Sequence, residues 1–221
     1  MSEPTPPFQV VTETAEKRAF ASAAAWPGWS RSGKDEALAL EQLASYAPRY
    51  ARVAAKAGLS FPERVTTADL EVVERTPGGS GTAFGVPGRV AEVDLHRVSS
   101  AEARRLTDIV IACWDVLADV VAAAPAELRK GPRGGGRDRD KVVAHVEESE
   151  RSYARSIGIE LPPTAPITAV RAEIVEVLGL NSDGSPLPGG AWTQRYAARR
   201  IAWHILDHAW EIEDRSEPHP G

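Results

Sequence analysis

His204 and His208 stand four residues apart in the segment His204-Ile205-Leu206-Asp207-His208. On an α-helix this spacing sets two imidazoles about 40° apart around the axis and about 6 Å apart along it, close enough to grip one metal ion. Ile201, Ile205 and Ile212 fall within about 100° of His204 on the helical wheel, so the pair borders an apolar stripe that packs inward. His145 is the third candidate, beside Val142 and Val146 on the apolar face of another helical segment. Inward side chains from different helices can converge on one centre. Three histidines leave the fourth position of a tetrahedral zinc open to water or substrate, the arrangement of catalytic sites. A single histidine on an apolar face is more often a hydrogen-bonded core residue. Three buried neutral imidazoles with no shared purpose, however, would cost desolvation without gain. His96 and His219 lie outside this pattern.

The flank of the ligand face is polar. Arg200, Asp207 and Glu211 lie within about 60° of His204, opposite the isoleucines. Asp207 or Glu211 could orient an imidazole N–H, and Arg200 could hold an anionic group of a substrate or cofactor. Glu148, one turn beyond His145, is the candidate general base or extra ligand. All four fit a solvated face equally well. The loop Lys130-Gly131-Pro132-Arg133-Gly134-Gly135-Gly136-Arg137 is basic and leads into a helix N-terminus, where anions are favoured. Arg133 is therefore a second candidate for cofactor binding, with a plain linker as the structural alternative. The loop lacks GxxxxGK[ST], so nucleotide binding is not indicated. Cys113 sits on an apolar stripe without a basic neighbour and reads as packing, not as a nucleophile. Tyr196, Trp203, Trp210 and Trp114 read as core or helix contacts, or as the lining of a homodimer interface.

The elements that must position these residues divide near residue 93. Residues 1–92 mix short strands with turns. Phe8 to Thr12 reads as a strand, as do Ala19 to Ala25 and Leu70 to Glu74. Residues 26–30 read as a turn. Asp35 to Lys56 follows a helical period, with a kink or break expected at Pro48. Thr76 to Gly88 reads as loop and Val90 to Leu95 as one more extended piece. Residues 93–221 hold four helices. The first starts at a Ser99/Glu102 capping box and follows a stripe from Leu106 to Val121. The second runs from about Asp138 to Ile157, the third from about Ile167 to Leu178, and the last from a Thr193 cap to about Asp214. Each apolar stripe needs a partner, so the expected fold is mainly α: a C-terminal four-helix bundle with a small α+β N-terminal region.

Residues 99–215 resemble the DinB/YfiT-like superfamily. The likeness is carried by Lys141-Val142-Val143-Ala144-His145-Val146-Glu147 and by the run from Arg199 to Glu211 around His204-Ile205-Leu206-Asp207-His208. The resemblance implies a four-helix bundle with a metal-binding histidine triad, which carries over onto His145, His204 and His208. It also implies a divalent metal, zinc or nickel, and suggests thiol-dependent transferase or isomerase chemistry with a low-molecular-weight thiol such as mycothiol, bacillithiol or glutathione, or metal-dependent hydrolysis. The N-terminal region is similar, more weakly, to HicB-type antitoxin domains through Arg18 to Ala25, the turn Trp26-Pro27-Gly28-Trp29-Ser30 and the helix from Asp35. Such domains bind a partner protein. The plainer reading is an accessory α+β extension that covers one end of the bundle.

Composition narrows the rest. The 221 residues carry a net charge of -5, so no global attraction to nucleic acid or anionic lipid is expected. One cysteine excludes an intrachain disulfide and any CxxC zinc or redox motif. The first seven residues lack an apolar core flanked by basic residues, and no stretch approaches a membrane span, so a cytoplasmic protein is expected. The leading expectation is a metal-dependent enzyme for small-molecule substrates, as a thiol S-transferase. A small-molecule hydrolase is the alternative, as is a non-catalytic metal-binding protein that meets a partner through its N-terminal region.

Overall fold

A computed structural model describes residues 7–131 and 135–216. The N-terminal region is built on a four-stranded sheet. Strands β1 (Phe8–Ala15) and β2 (Arg18–Ala23) form an antiparallel hairpin, and β3 (Ser30–Gly33) adds to β2. The second and third strands sit either side of the turn at residues 26–30. The alanine-rich run of β2 is a poor strand by propensity, yet it is an inner strand with Ala19 to Ala23 buried. Small side chains suit a strand covered on both faces, so packing overrides propensity.

Helix α1 (Glu36–Ser45) starts at Asp35, whose carboxylate accepts from Leu38 N at 2.9 Å. Helix α2 (Ala47–Lys56) follows almost at once. The break expected at Pro48 falls at Tyr46 instead. Pro48 lies in the first turn of α2, where its missing N–H would have had no partner anyway. The chain then returns as β4 (Leu70–Pro77), parallel to β1, giving the order β3-β2-β1-β4. The stretch expected to be loop from Thr76 to Gly88 contains a short helix, α3 (Ser80–Phe84). The extended piece expected at Val90 to Leu95 is a 3₁₀ turn over Glu92–Leu95. Buried Asp94 shapes that turn. It accepts from Ala91 N at 2.9 Å and pairs with the Arg199 guanidinium at 2.8 and 2.5 Å.

Four longer helices make up the remainder: α4 (Ser100–Ala123), α5 (Arg139–Ser156), α6 (Ile167–Leu178) and α7 (Gln194–Ser216). Ser99 Oγ accepts from Glu102 N at 3.3 Å, but the Glu102 carboxylate turns to Arg195 at 2.6 Å and does not close the expected box. The Thr193 hydroxyl, expected to cap α7, has no partner; only its carbonyl enters the helix, accepting from Ala197 N at 2.9 Å. Helix α4 packs on α7, α7 on α5, α5 on α6 and α6 on α4. Among the described residues no helix is long and apolar enough to cross a membrane.

One continuous buried cluster joins the two regions, from Val10, Trp29 and Leu43 to Ile109, Ile174 and Ile205. Helix α7 is its spine. Trp203 meets Phe20 of β2 edge-on, with ring centroids 6.1 Å apart, and Trp210 meets Tyr46 at 5.0 Å. Ion pairs line the seam, Arg31 with Asp207 at 3.1 Å and Arg52 with Glu213 at 2.7 Å. Such partly exposed pairs contribute about 0–1 kcal/mol each, so the apolar contacts set the docking. On the far side, the buried carboxylate of Glu150 ties three helices together. It accepts from Trp114 Nε1 at 2.7 Å and from Arg171 Nε at 2.9 Å.

Gly28 lets the sheet region approach α7 closely. Its φ is +88°, and a Cβ there would lie 2.7 Å from Leu206 Cδ1 and 3.1 Å from Ala202 Cβ. Gly28→Ala combines backbone strain with overpacking and is expected to destabilise the protein by about 1–3 kcal/mol. Urea unfolding should show a lower midpoint with an unchanged slope. An unchanged midpoint would mean that this contact does not hold α7 in place.

Candidate metal centre

Fully buried Val142 and Val146 seat α5 in the core and bring His145 towards α7. His204 and His208 project from α7, one turn apart. The His145 ring centroid lies 5.2 Å from that of His204 and 5.0 Å from that of His208, and the α7 pair are 4.7 Å apart. One nitrogen from each ring falls within 4.8 Å of the other two, a group that could hold a metal ion. Bonds of about 2.0–2.1 Å to a tetrahedral cation would draw the nitrogens closer still, which small side-chain rotations supply.

The surroundings prepare these rings as ligands. His204 is 6% exposed and flanked by Trp203 and Tyr153, with ring centroids at 5.9 and 5.5 Å. Its Nδ1 is buried and has no hydrogen-bond partner. Burial pushes its pKa down to about 2, aided by His208, Arg200, His145 and Arg137. Burial also lowers that of His145, with Arg137 and His208 adding to the effect. Both imidazoles are thus held in the neutral form that binds metals. His208 is oriented differently. Its Nδ1 lies 2.7 Å from Glu211 Oε2; a carboxylate can only accept, so Nδ1 carries the proton and Nε2 keeps its lone pair. Glu211 is itself held below the ordinary carboxylate range, first by the His208 bond. Its other oxygen accepts from Arg215 Nη1 at 2.6 Å, and Arg215 Nε donates to the Arg129 carbonyl at 2.8 Å. A chain of hydrogen bonds therefore runs from the backbone at Arg129 to one ring.

The polar flank divides. Glu211 takes the orienting role, and Asp207 does not: it points to the sheet and accepts from Arg31. The two residues differ by four positions, but the sheet supplies a guanidinium on only one of the two sides. Glu148 is exposed on α5, outside the three-nitrogen group. Arg200 stays beside the site, its guanidinium carbon 5.2 Å from the Tyr153 ring centroid and 4.6 Å from that of Trp203. Arg133, like His219, lies outside the described residues. Its neighbour in the loop, Lys130, is engaged with the Asp138 carboxylate, while Arg137 is exposed. Cys113 is buried and its thiol is pushed up by desolvation, as packing requires. Within the chain Trp203 packs on Phe20, Trp210 packs on Tyr46 and Trp114 donates to Glu150, while the buried Nε1 of Trp203 has no hydrogen-bond partner.

Tyr153 was legible only as an apolar-face residue of α5. Its signal as a neighbour of the centre was its spacing, eight residues from His145 and so about 80° around the same helix. Two cavities of about 550 and 580 Å³ lie away from the histidines, one against Val120 and Ala123 of α4, the other against Leu180 and Leu187. Comparison with protein-family models, with curated proteins and with solved structures finds no match for this chain.

Two outcomes are expected. Glu211→Ala leaves the His208 ring without its orienting acceptor, and metal affinity should fall by about 10–100-fold in a chelator competition; an unchanged affinity would remove Glu211 from the site. In the metal-free protein, unfolded His204 takes up a proton near its ordinary 6.5, whereas the folded residue stays neutral down to about 2. Its contribution to stability is therefore complete above 6.5 and is lost as pH falls below that value, by up to about 1.4 kcal/mol per pH unit. Urea midpoints between pH 7.5 and pH 5 should fall more steeply for the parent protein than for His204→Asn. Equal slopes would contradict the burial of this ring.

Proposed function

We propose that the chain is a metal-dependent enzyme in which residues 93–221 form a DinB-like four-helix bundle and His145, His204 and His208 hold one divalent ion, zinc or nickel. The convergence of three imidazole nitrogens from two helices within 4.8 Å carries this reading. The unpartnered, buried Nδ1 of His204 and the Glu211 carboxylate on His208 support it, because metal-ligating imidazoles characteristically have one nitrogen free and the other anchored. The resemblance of residues 99–215 to the DinB/YfiT-like superfamily points the same way. Three protein ligands leave a coordination position for water or substrate, and a bound ion would supply Lewis acidity and lower the pKa of whatever group occupied it.

The chain's own residues then have distinct tasks. Glu211 fixes the His208 ring. Tyr153 and Trp203 exclude water from the His204 side. Arg200 stands ready at the edge. Thiol S-transfer to a small electrophile is the activity we favour, with a low-molecular-weight thiol as cosubstrate. Residues 1–92 serve as an extension that holds α7, and cytoplasmic residence belongs to the same reading. Hydrolysis of a small molecule is the second enzymatic reading, and it would need no thiol. A non-catalytic metal-binding protein that meets a partner through residues 1–92 is the third reading.

Elemental analysis of the purified protein tests the centre. About one metal per chain is expected, and little in the His204→Ala, His208→Ala double variant, as a three-histidine site requires. Retained stoichiometry in that variant would overturn the assignment. Metal-dependent consumption of a thiol together with an electrophile would separate transferase from hydrolase.

A further inference from the structure

Arg200 is the cation of α7 that the fold leaves unspent. On the same helix Arg195 pairs with Glu102, Arg199 with Asp94 and Arg215 with Glu211. Among the described residues Arg200 has no such ion pair, and its Nη1 is buried without a hydrogen-bond partner. Yet its guanidinium is held in place. The Tyr153 and Trp203 rings both lie against it, at 5.2 and 4.6 Å from ring centroid to guanidinium carbon. Tyr153 and Trp203 are also the two rings that flank His204. Arg200 precedes His204 by one helical turn, which places the two on the same face about 6 Å apart along the axis.

A guanidinium that is partly desolvated, gripped by aromatic faces and free of a carboxylate is costly unless something else accepts from it. A carboxylate would match the planar fork with two parallel hydrogen bonds. The exposed Arg137 adds a second positive charge to the same neighbourhood, since its field acts on both His145 and His204. We propose that the small molecule handled at the histidine centre is a carboxylate, anchored by Arg200 while another of its groups faces the metal position. This rests on the metal-centre reading and adds the charge class of the ligand; Arg200 is then a specificity-determining residue.

The test uses the full chain loaded with cobalt(II), whose absorption bands report a thiolate entering its coordination sphere. The probes are 3-mercaptopropionate and 2-mercaptoethanol, which share a thiol and differ in the carboxylate. The parent protein should bind the carboxylate probe at least about tenfold more tightly, the scale of one charge-assisted hydrogen bond. Arg200→Gln should erase that preference and leave 2-mercaptoethanol affinity unchanged, and Arg200→Lys should restore part of it, which a merely structural role would not. Equal affinities in the parent, or a preference that survives in Arg200→Gln with its cobalt spectrum intact, would overturn the assignment while leaving the metal centre standing. Should the cobalt spectrum collapse in Arg200→Gln, Arg200→Lys decides: a reduced preference with 2-mercaptoethanol affinity retained supports the assignment, and an unaltered preference overturns it. Failure of the parent to take up cobalt would remove the metal centre and this inference together.

Discussion

Helix α7 must satisfy three neighbours at once, and its packing fixes everything else at the centre. Ala202, Trp203, Leu206, Asp207 and Trp210 meet the N-terminal region, through Gly28, Phe20, Arg31 and Tyr46, and Arg199 meets Asp94 of the connecting 3₁₀ turn. Ile201, Ile205 and Ile212 are fully buried in the common core. What remains is the narrow strip of His204, His208 and Glu211, which faces α5. A helix buried on nearly every side cannot rotate to relieve a local misfit, because a shift of one residue turns each side chain by about 100°. The directions of the two α7 imidazoles are therefore consequences of the apolar and charged contacts on the other faces.

Burial of the histidines sets their chemistry. Three imidazoles this close would repel one another if protonated, and removal from water penalises the charged form further. The result is that His145 and His204 are held as neutral lone-pair donors, with two guanidiniums nearby acting in the same direction on His204. Only His208 meets a carboxylate, and there the charge is used to direct a proton rather than to neutralise the ring. Glu211 can serve because Arg215 shares the cost of keeping it ionised in a half-buried place. Glu150 makes the contrast among the same helices. It is buried completely and its pKa is raised by desolvation, yet Trp114 and Arg171 saturate both its oxygens, so it has no capacity left for a ligand.

The local parts of this arrangement were legible in the sequence. The i, i+4 spacing of His204 and His208 and the valines around His145 named the three histidines that converge, and helical periodicity located α4 to α7 within a few residues. Long-range pairings were not. Nothing near Asp207 or Glu211 in the sequence distinguishes the one that meets Arg31 from the one that meets His208, since the choice depends on a strand 176 residues away. The 3₁₀ turn at Glu92–Leu95 replaced an expected extended piece for the same reason, as its Asp94 answers to Arg199 on the last helix. The break at Tyr46 was misplaced by two residues because proline disrupts a helix interior but is at home in a first turn. Strand β3 escaped notice because Ser30–Gly33 is short and polar, as an edge strand can be.

The N-terminal region takes its meaning from this dependence on α7. It contributes none of the three imidazoles, but it supplies the surface against which the opposite face of their helix is clamped. A metal site needs its ligands held within about 0.5 Å of a productive geometry, and such precision comes from the residues behind the ligands rather than from the ligands themselves. Phe20, Gly28, Arg31 and Tyr46 would be those residues for an ion held by the three histidines, each touching α7 between or beside the histidine positions. Because the buried cluster runs unbroken from the sheet into the helices, a disturbance at the sheet has no slack to absorb it before it reaches α7. The extension and the site are in this sense one mechanical unit.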